Sequence, residues 1–233
     1  GFYTSALVKD GGTLQVGIGA LGDAVVHALA LRQTDNSNYC NVLNALNRPN
    51  ASQVFAEQIG GHTPFDVGLY GATEMFVDGF LHLMQTGVLK RKVYGHWSLQ
   101  KLINRGRCNP QQLEPTVLDD LAEIGVREIS PDDFSVLKQH GLFKEGVLHE
   151  GVWLVLPNGQ RVLANFADKS TRIALQASGL GRSLKQGIVL HAGFFLGPGS
   201  MYATLSNMPE TDRDSIHMLG VDHGSQLDFN PVL

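Results

Sequence analysis

The segment Ala72-Thr73-Glu74-Met75-Phe76-Val77-Asp78-Gly79 places a carboxylate where a β-type run gives way to helical spacing. A glutamate at a helix N-terminus is favoured in its ionised form by the helix dipole. An ionised carboxylate in a mostly apolar cleft can attack a carbonyl carbon and carry the acyl group covalently. The plainer reading makes Glu74 a first-turn acid that supports its own helix, with Asp78 a solvated helix residue.

A second segment, Gly17-Ile18-Gly19-Ala20-Leu21-Gly22, has the G-x-G-x-x-G spacing between a short β-type run and a helical pattern. Such a turn directs backbone N–H groups and a helix start at an anion or a developing oxyanion. A dinucleotide site also needs an acid at the end of a second strand about 20 residues on. The corresponding stretch, Asn36-Ser37-Asn38-Tyr39-Cys40-Asn41, has none. The turn can therefore serve a dinucleotide, another phosphate- or thioester-bearing ligand, or structure alone. A third segment, His191-Ala192-Gly193-Phe194-Phe195-Leu196-Gly197, holds a histidine read as a satisfied core residue and glycines that let backbone approach a ligand or another strand. It has no G-x-S-x-G elbow to go with it.

These residues need elements to hold them. Residues 12–19 read as a strand and its glycine turn, and Leu21, Val25, Ala28 and Leu29 predict a helix over 20–33. Residues 34–50 read as a loop with a helical turn near Val42–Leu46. A second strand is predicted over 65–72, followed by a helix from Phe76 that stops at Gly87. Two strand-turn-helix units in a row predict an α/β fold: an open, mostly parallel sheet with flanking helices. Residues 96–168 differ. They combine a helical stretch over 109–124, a helix started by Ser130 and Pro131, and a hairpin around Pro157-Asn158-Gly159. The expected organisation is therefore an α/β domain over 1–95 and 169–233, interrupted by a helix-and-hairpin subdomain over 96–168. The apolar run 186–196 predicts a buried strand returning to the main sheet.

Composition narrows the function classes. A net charge of -4 and the absence of a large Lys/Arg cluster argue against nucleic acid as a partner. Lys90-Arg91-Lys92 is short and reads as a helix-end or solvent patch. Cys40 and Cys108 fit neither C-x-x-C nor zinc spacing, so a reducing, cytoplasmic setting and no metal site are expected. No apolar run approaches the ~18–20 residues that span a bilayer, so no membrane association is expected.

Taken together, the segments resemble the acetyl-CoA hydrolase/transferase family, the propionate- and 4-hydroxybutyrate-type CoA-transferases. Asp10 through Val25 is similar to the family's "DG-TLQ-GIG…AV" segment. Tyr70 through Gly79 is similar to its "TE(M/V)…DG" segment, whose glutamate is the nucleophile. Leu190 through Pro198 with Tyr202, Met208 and Pro209 resembles a segment of a longer bacterial branch. The resemblance spans about residues 3–90 and 186–220 and matches the C-terminal half of family chains, which are about twice this length. It departs at Ala72, where the family has an aromatic residue or histidine, and at 220–229, a loose form of the closing glycine-rich segment.

The resemblance implies a CoA-transferase or acyl-CoA hydrolase with Glu74 as catalytic residue. Its substrate-binding residues would be Gln15, Val16, Gly17, Gly19, Gly193, Gly197 and Gly224. Coenzyme A would be a substrate, no cofactor would be needed, and a small carboxylic acid would be the acceptor. A preceding α/β half would complete the cleft, and a homo-oligomer is expected. The alternatives are a dinucleotide-binding oxidoreductase and a non-catalytic CoA-binding fragment.

Overall fold

The computed structural model describes residues 1–46 and 50–218, with only the backbone described over 50–52. Gly224 and the segment 220–229 lie outside the described residues. Two compact units form: Gly1–Lys92 with the chain from Ile188 onward, and Val93–Gly187.

The first unit opens with α1 (Phe2–Ser5), β1 (Thr13–Leu14), α2 (Ala20–Thr34), α3 (Asn36–Ala45) and α4 (Asn50–Ile59). It continues through β2 (Tyr70–Phe76) and α5 (Asp78–Gln85). The second unit carries α6 (Trp97–Asn104), α7 (Val117–Glu123), α8 (Pro131–Gln139), β3 (Leu148–Glu150), β4 (Trp153–Val155), β5 (Arg161–Leu163) and α9 (Lys169–Ala174). The chain then returns to the first unit with β6 (Leu190–Phe195), α10 (Gly199–Ser206), α11 (Glu210–Arg213) and β7 (Ile216–Met218). The main sheet has the order β1-β2-β6-β7 with every neighbour parallel. The fold class is thus α/β, a four-stranded parallel sheet flanked by helices, with a small antiparallel sheet β3-β4-β5 in the second unit.

One face of the main sheet is apolar. Leu14, Leu190, Ala192, Ile216 and Met218 are buried there with Val25 and Leu29 of α2, Phe80 and Leu83 of α5, and Met201 and Leu205 of α10. Each fully buried leucine, isoleucine, phenylalanine or methionine among them contributes about 1.5–3 kcal/mol. Register puts Thr13 beside Tyr70, and His191 between Ala72 and His217, on the other face, which is polar and partly exposed.

The second strand is not where the sequence predicts it. Asp66-Val67-Gly68 does not pair, because its N–H groups point at one carboxylate. Asp10 accepts from Asp66 and Val67 through Oδ2 at 2.9 and 3.0 Å, and from Gly68 through Oδ1 at 2.8 Å. Gly11 N–H adds a fourth bond at 2.9 Å. Extended pairing begins only at Tyr70, so Glu74 lies inside β2 rather than beyond its end, and the helix starts at Asp78 rather than Phe76. β1 is likewise shorter than the expected 12–19, because the chain turns away after Leu14.

Burial alone would raise the Asp10 pKa, but the N–H groups of Val67, Gly68, Asp66 and Gly11 outweigh it and hold it below the ordinary aspartate range. A carboxyl depressed on folding contributes stability that is present above its unfolded value and lost as pH falls through the folded one. Asp10→Ala should lower the unfolding free energy at pH 7 by roughly 2–3 kcal/mol. The difference from the parent should shrink as pH falls below ~4. Urea titration at both pH values checks this, and a difference that does not change with pH would remove Asp10 as the clamp.

Helix α3 replaces most of the expected 34–50 loop. Asp35 caps it by accepting the Asn38 N–H at 3.1 Å, a start signal masked by the polar composition of the stretch. In the second unit, Ser130 caps α8 through the Asp133 N–H at 3.1 Å, as its sequence predicts. The helix expected over 109–124 shortens to α7. Residues 169–187 belong with the second unit, not the α/β domain. Backbone bonds tie them there: Leu113 N–H to Arg182 O at 2.8 Å, Gly181 N–H to Leu142 O at 2.8 Å and Lys185 N–H to His140 O at 2.9 Å. The interrupting unit is therefore 93–187.

Candidate functional site

All four main-sheet strands run the same way, so β1, β2 and β6 release the chain at one edge, where α/β sheets collect ligands. Helices α2, α5 and α10 start there. Their N-cap residues Gly19, Val77 and Pro198 provide no side-chain cap, so first-turn N–H groups remain available. Between them is a cleft of about 210 Å³ whose lining includes Val16, Gly17, Asp23, Asp78, Gly79 and Gly197. The glycine turn is tight: a Cβ on Gly22 would lie 2.1 Å from Gly17 O. Gly19 sits at φ +118°, a conformation that suits glycine.

Of the residues expected to bind substrate, Val16, Gly17 and Gly197 line this cleft. Gln15 is exposed just before it, and Gly19 caps α2 beside it. Neither is in the lining, and neither are Gly193 and Glu74. The structure therefore does not bring Glu74 onto the glycine turn. It also does not place Glu74 at a helix start: the carboxylate is four residues before Asp78, within β2. The sequence predicts both features at strand ends, but β2 runs on past Glu74 to Phe76.

The surroundings of Glu74 are nonetheless distinctive. The β2–β6 ladder is regular from Gly71↔Leu190 to Thr73↔Ala192 and again at Met75↔Phe194 and Phe76↔Phe195, but has no pair at Glu74 and Gly193. Burial changes phase at the same point. Leu190 and Ala192 face the helix-covered core before it, and Phe195 packs against that core after it, a step of three rather than two. On β2, Phe76 is buried while Glu74 is exposed. Alternation from Tyr70 and Ala72 puts Glu74 on the polar face, and both strands share an irregularity at this point. Among the described residues the Glu74 carboxylate has no hydrogen-bond or ion-pair partner.

Gly193 makes this close approach possible: a Cβ there would lie 2.8 Å from Glu74 O. Gly193→Ala should therefore push β6 from β2 at this point and destabilise the fold by about 1–3 kcal/mol. A chemical denaturation curve superimposable on the parent's would contradict that role.

The polar face brings together residues that sequence spacing does not connect. The Tyr70 hydroxyl and His191 Nδ1 are hydrogen-bonded across 121 positions. His217 meets the His191 ring edge-on with centroids 5.3 Å apart. The Arg91 guanidinium lies 5.7 Å from the Tyr70 ring centroid and donates to Thr13 Oγ1 at 3.0 Å. Burial lowers the proton affinity of His191 and of Arg91. His191 is thus half-buried and engaged with Tyr70 rather than enclosed in the core.

The second unit contains a serine–histidine–aspartate series as well. Ser98 Oγ is 2.7 Å from His96 Nδ1, and His96 Nε2 is 3.2 Å from Asp133 Oδ1. Ser98 is fully buried, so no substrate reaches it. The series links the starts of α6 and α8.

Among the described residues no cluster of three or more His, Cys, Asp or Glu is placed to hold a metal ion. No described helix is long and apolar enough to cross a membrane. Comparison with protein-family models, curated proteins and solved structures returns no match.

Proposed function

We propose that the chain carries out acyl-CoA thioester chemistry, as a CoA-transferase or an acyl-CoA hydrolase, with the Glu74 carboxylate as nucleophile. The observation that carries this reading is the paired strand irregularity at Glu74 and Gly193. There the Glu74 carboxylate is exposed and has no hydrogen-bond or ion-pair partner among the described residues. A nucleophile must be ionised and free to approach a carbonyl, and a carboxylate in an ion pair meets the second condition poorly.

The cleft at the sheet edge supports an uncharged guest. Asp23 and Asp78 line it, and among the described residues no lysine or arginine does. Two carboxylates oppose a pyrophosphate, which weighs against the dinucleotide reading. They leave room for the neutral pantetheine arm, whose thioester end would extend out of the cleft to Glu74. Gly17 and Gly197 line that passage. Val77, at the cleft wall, is three residues or ~10 Å along the strand from Glu74, a span that an extended pantetheine covers. In this reading coenzyme A is a substrate, the second substrate is a small carboxylic acid or water, and the setting is cytoplasmic. A further α/β half and self-association complete the cleft in a CoA-transferase-like architecture.

Attack by Glu74 forms a C–O bond to the acyl carbon and breaks its C–S bond, leaving an acyl-glutamyl anhydride and CoA thiolate. In transfer the thiolate attacks the glutamyl carbonyl and expels the donor carboxylate, leaving a glutamyl-CoA thioester. The acceptor carboxylate attacks that carbonyl and releases the thiolate, which then attacks the acceptor acyl carbon to form the new acyl-CoA and free Glu74. Incubation with acetyl-CoA followed by hydroxylamine should mark Glu74 as the hydroxamate. Peptide mass spectrometry showing the mark at another residue, or none, would end this reading.

A further inference from the structure

We propose that His191 is the general base that delivers water to the acyl group on Glu74, so that the site hydrolyses thioesters. This rests on the assignment of Glu74 as nucleophile. Register places His191 beside Ala72, two residues before Glu74 on the adjacent strand. With strands ~4.8 Å apart and a rise of ~3.3 Å per residue, the Cα atoms of His191 and Glu74 are about 8 Å apart. Ala72 and Gly193, the other two residues of that quartet, are small. The space between imidazole and carboxylate therefore suits an acyl group and one water.

The imidazole is held on two sides. Tyr70 engages Nδ1, and His217 of β7 abuts the ring. The titratable and charged groups around it are Tyr70 and Glu74 of β2, His217 of β7, and Arg91 above the Tyr70 ring. Burial disfavours the imidazolium, so the ring is neutral near pH 7 and able to accept a proton. We assign His191 the tautomer that donates Nδ1–H to the Tyr70 oxygen, which leaves the lone pair on Nε2.

Nε2 takes one proton from water while the water oxygen attacks the acyl carbon. The bond from that carbon to the Glu74 oxygen breaks and the carboxylate is restored. The product acid releases its remaining proton, and the imidazolium protonates CoA thiolate. A transferase must keep water from its anhydride, whereas here the nucleophile is exposed. Tyr70 is a positioning residue in this scheme.

The test uses acetyl-CoA labelled in the acetyl group, with the label on Glu74 measured after rapid quench. In the parent the label should decay fast, at a rate that rises with pH through the His191 titration and then levels. In His191→Gln it should accumulate and decay about 10²–10⁴-fold more slowly, without the pH step. Tyr70→Phe, which keeps the imidazole, should slow decay less and move the step. Equal decay in parent and His191→Gln overturns the base assignment while leaving Glu74 as nucleophile. If His191→Gln does not fold, a flat pH profile in the parent overturns it equally. No label on Glu74 in the parent removes the nucleophile assignment and this one with it.

Discussion

Replacing Glu74 by glutamine should leave the protein folded and lower acyl-CoA turnover by at least about 10³-fold, or ~4 kcal/mol of barrier. The amide has the shape of the carboxylate but cannot form the anhydride. The side chain is exposed and has no partner among the described residues, so stability should change by less than ~0.5 kcal/mol. Glu74→Asp retains the charge but withdraws it by one methylene. Its rate should fall between those of parent and amide, because a displacement of ~1 Å can remove about 10²-fold. CoA release followed with a thiol reagent, alongside thermal melting, measures both quantities. Turnover by Glu74→Gln at the parent rate would sink the mechanism.

Arg32→Ala should destabilise the first unit by about 3–5 kcal/mol, the largest effect expected of any single side chain described here. Arg32 is almost fully buried on α2. Its Nε donates to Thr63 O at 2.7 Å, and Nη1 donates to Val8 O at 2.7 Å and Ser5 O at 3.2 Å. The guanidinium lies 4.2 Å from the Phe65 ring centroid. Burial lowers its proton affinity, while nearby Tyr39 and Asp10 act the other way. One planar fork thus ties α2 to the chain before β1 and to the loop before β2. Removing it takes the donor from the buried Ser5 carbonyl and from the part-buried Val8 and Thr63 carbonyls. Lysine should restore little, since one ammonium on a flexible stem cannot span these acceptors. Urea unfolding of both variants tests this, and a loss below ~1 kcal/mol in Arg32→Ala would show that water or neighbouring donors replace the fork.

The reason a residue was or was not legible differs from case to case. Helix α2 follows from its apolar spacing and from the glycine turn before it. The Ser130–Pro131 start of α8 follows from local capping, because both partners lie within one turn. The hairpin at Pro157-Asn158-Gly159 is likewise local, and β4 and β5 flank it. By contrast, β2 begins at Tyr70 because a carboxylate 56 residues away takes the Asp66 N–H. Arg32 reads as one polar residue on an apolar stripe until the Ser5, Val8 and Thr63 carbonyls converge on it.

Local patterns in the chain were enough to establish an α/β sheet of parallel strands and to place a glycine turn between β1 and α2. Those features depend on neighbours a few residues apart, where dihedral preference and side-chain alternation act. The separation of Glu74 from the turn, the shared irregularity at Gly193, and the Tyr70–His191–His217 row emerged only on folding. So did the assignment of 169–187 to the second unit. Each of these depends on strand register or on backbone bonds between distant segments, and such pairings are selected by the whole core rather than by any one stretch of residues.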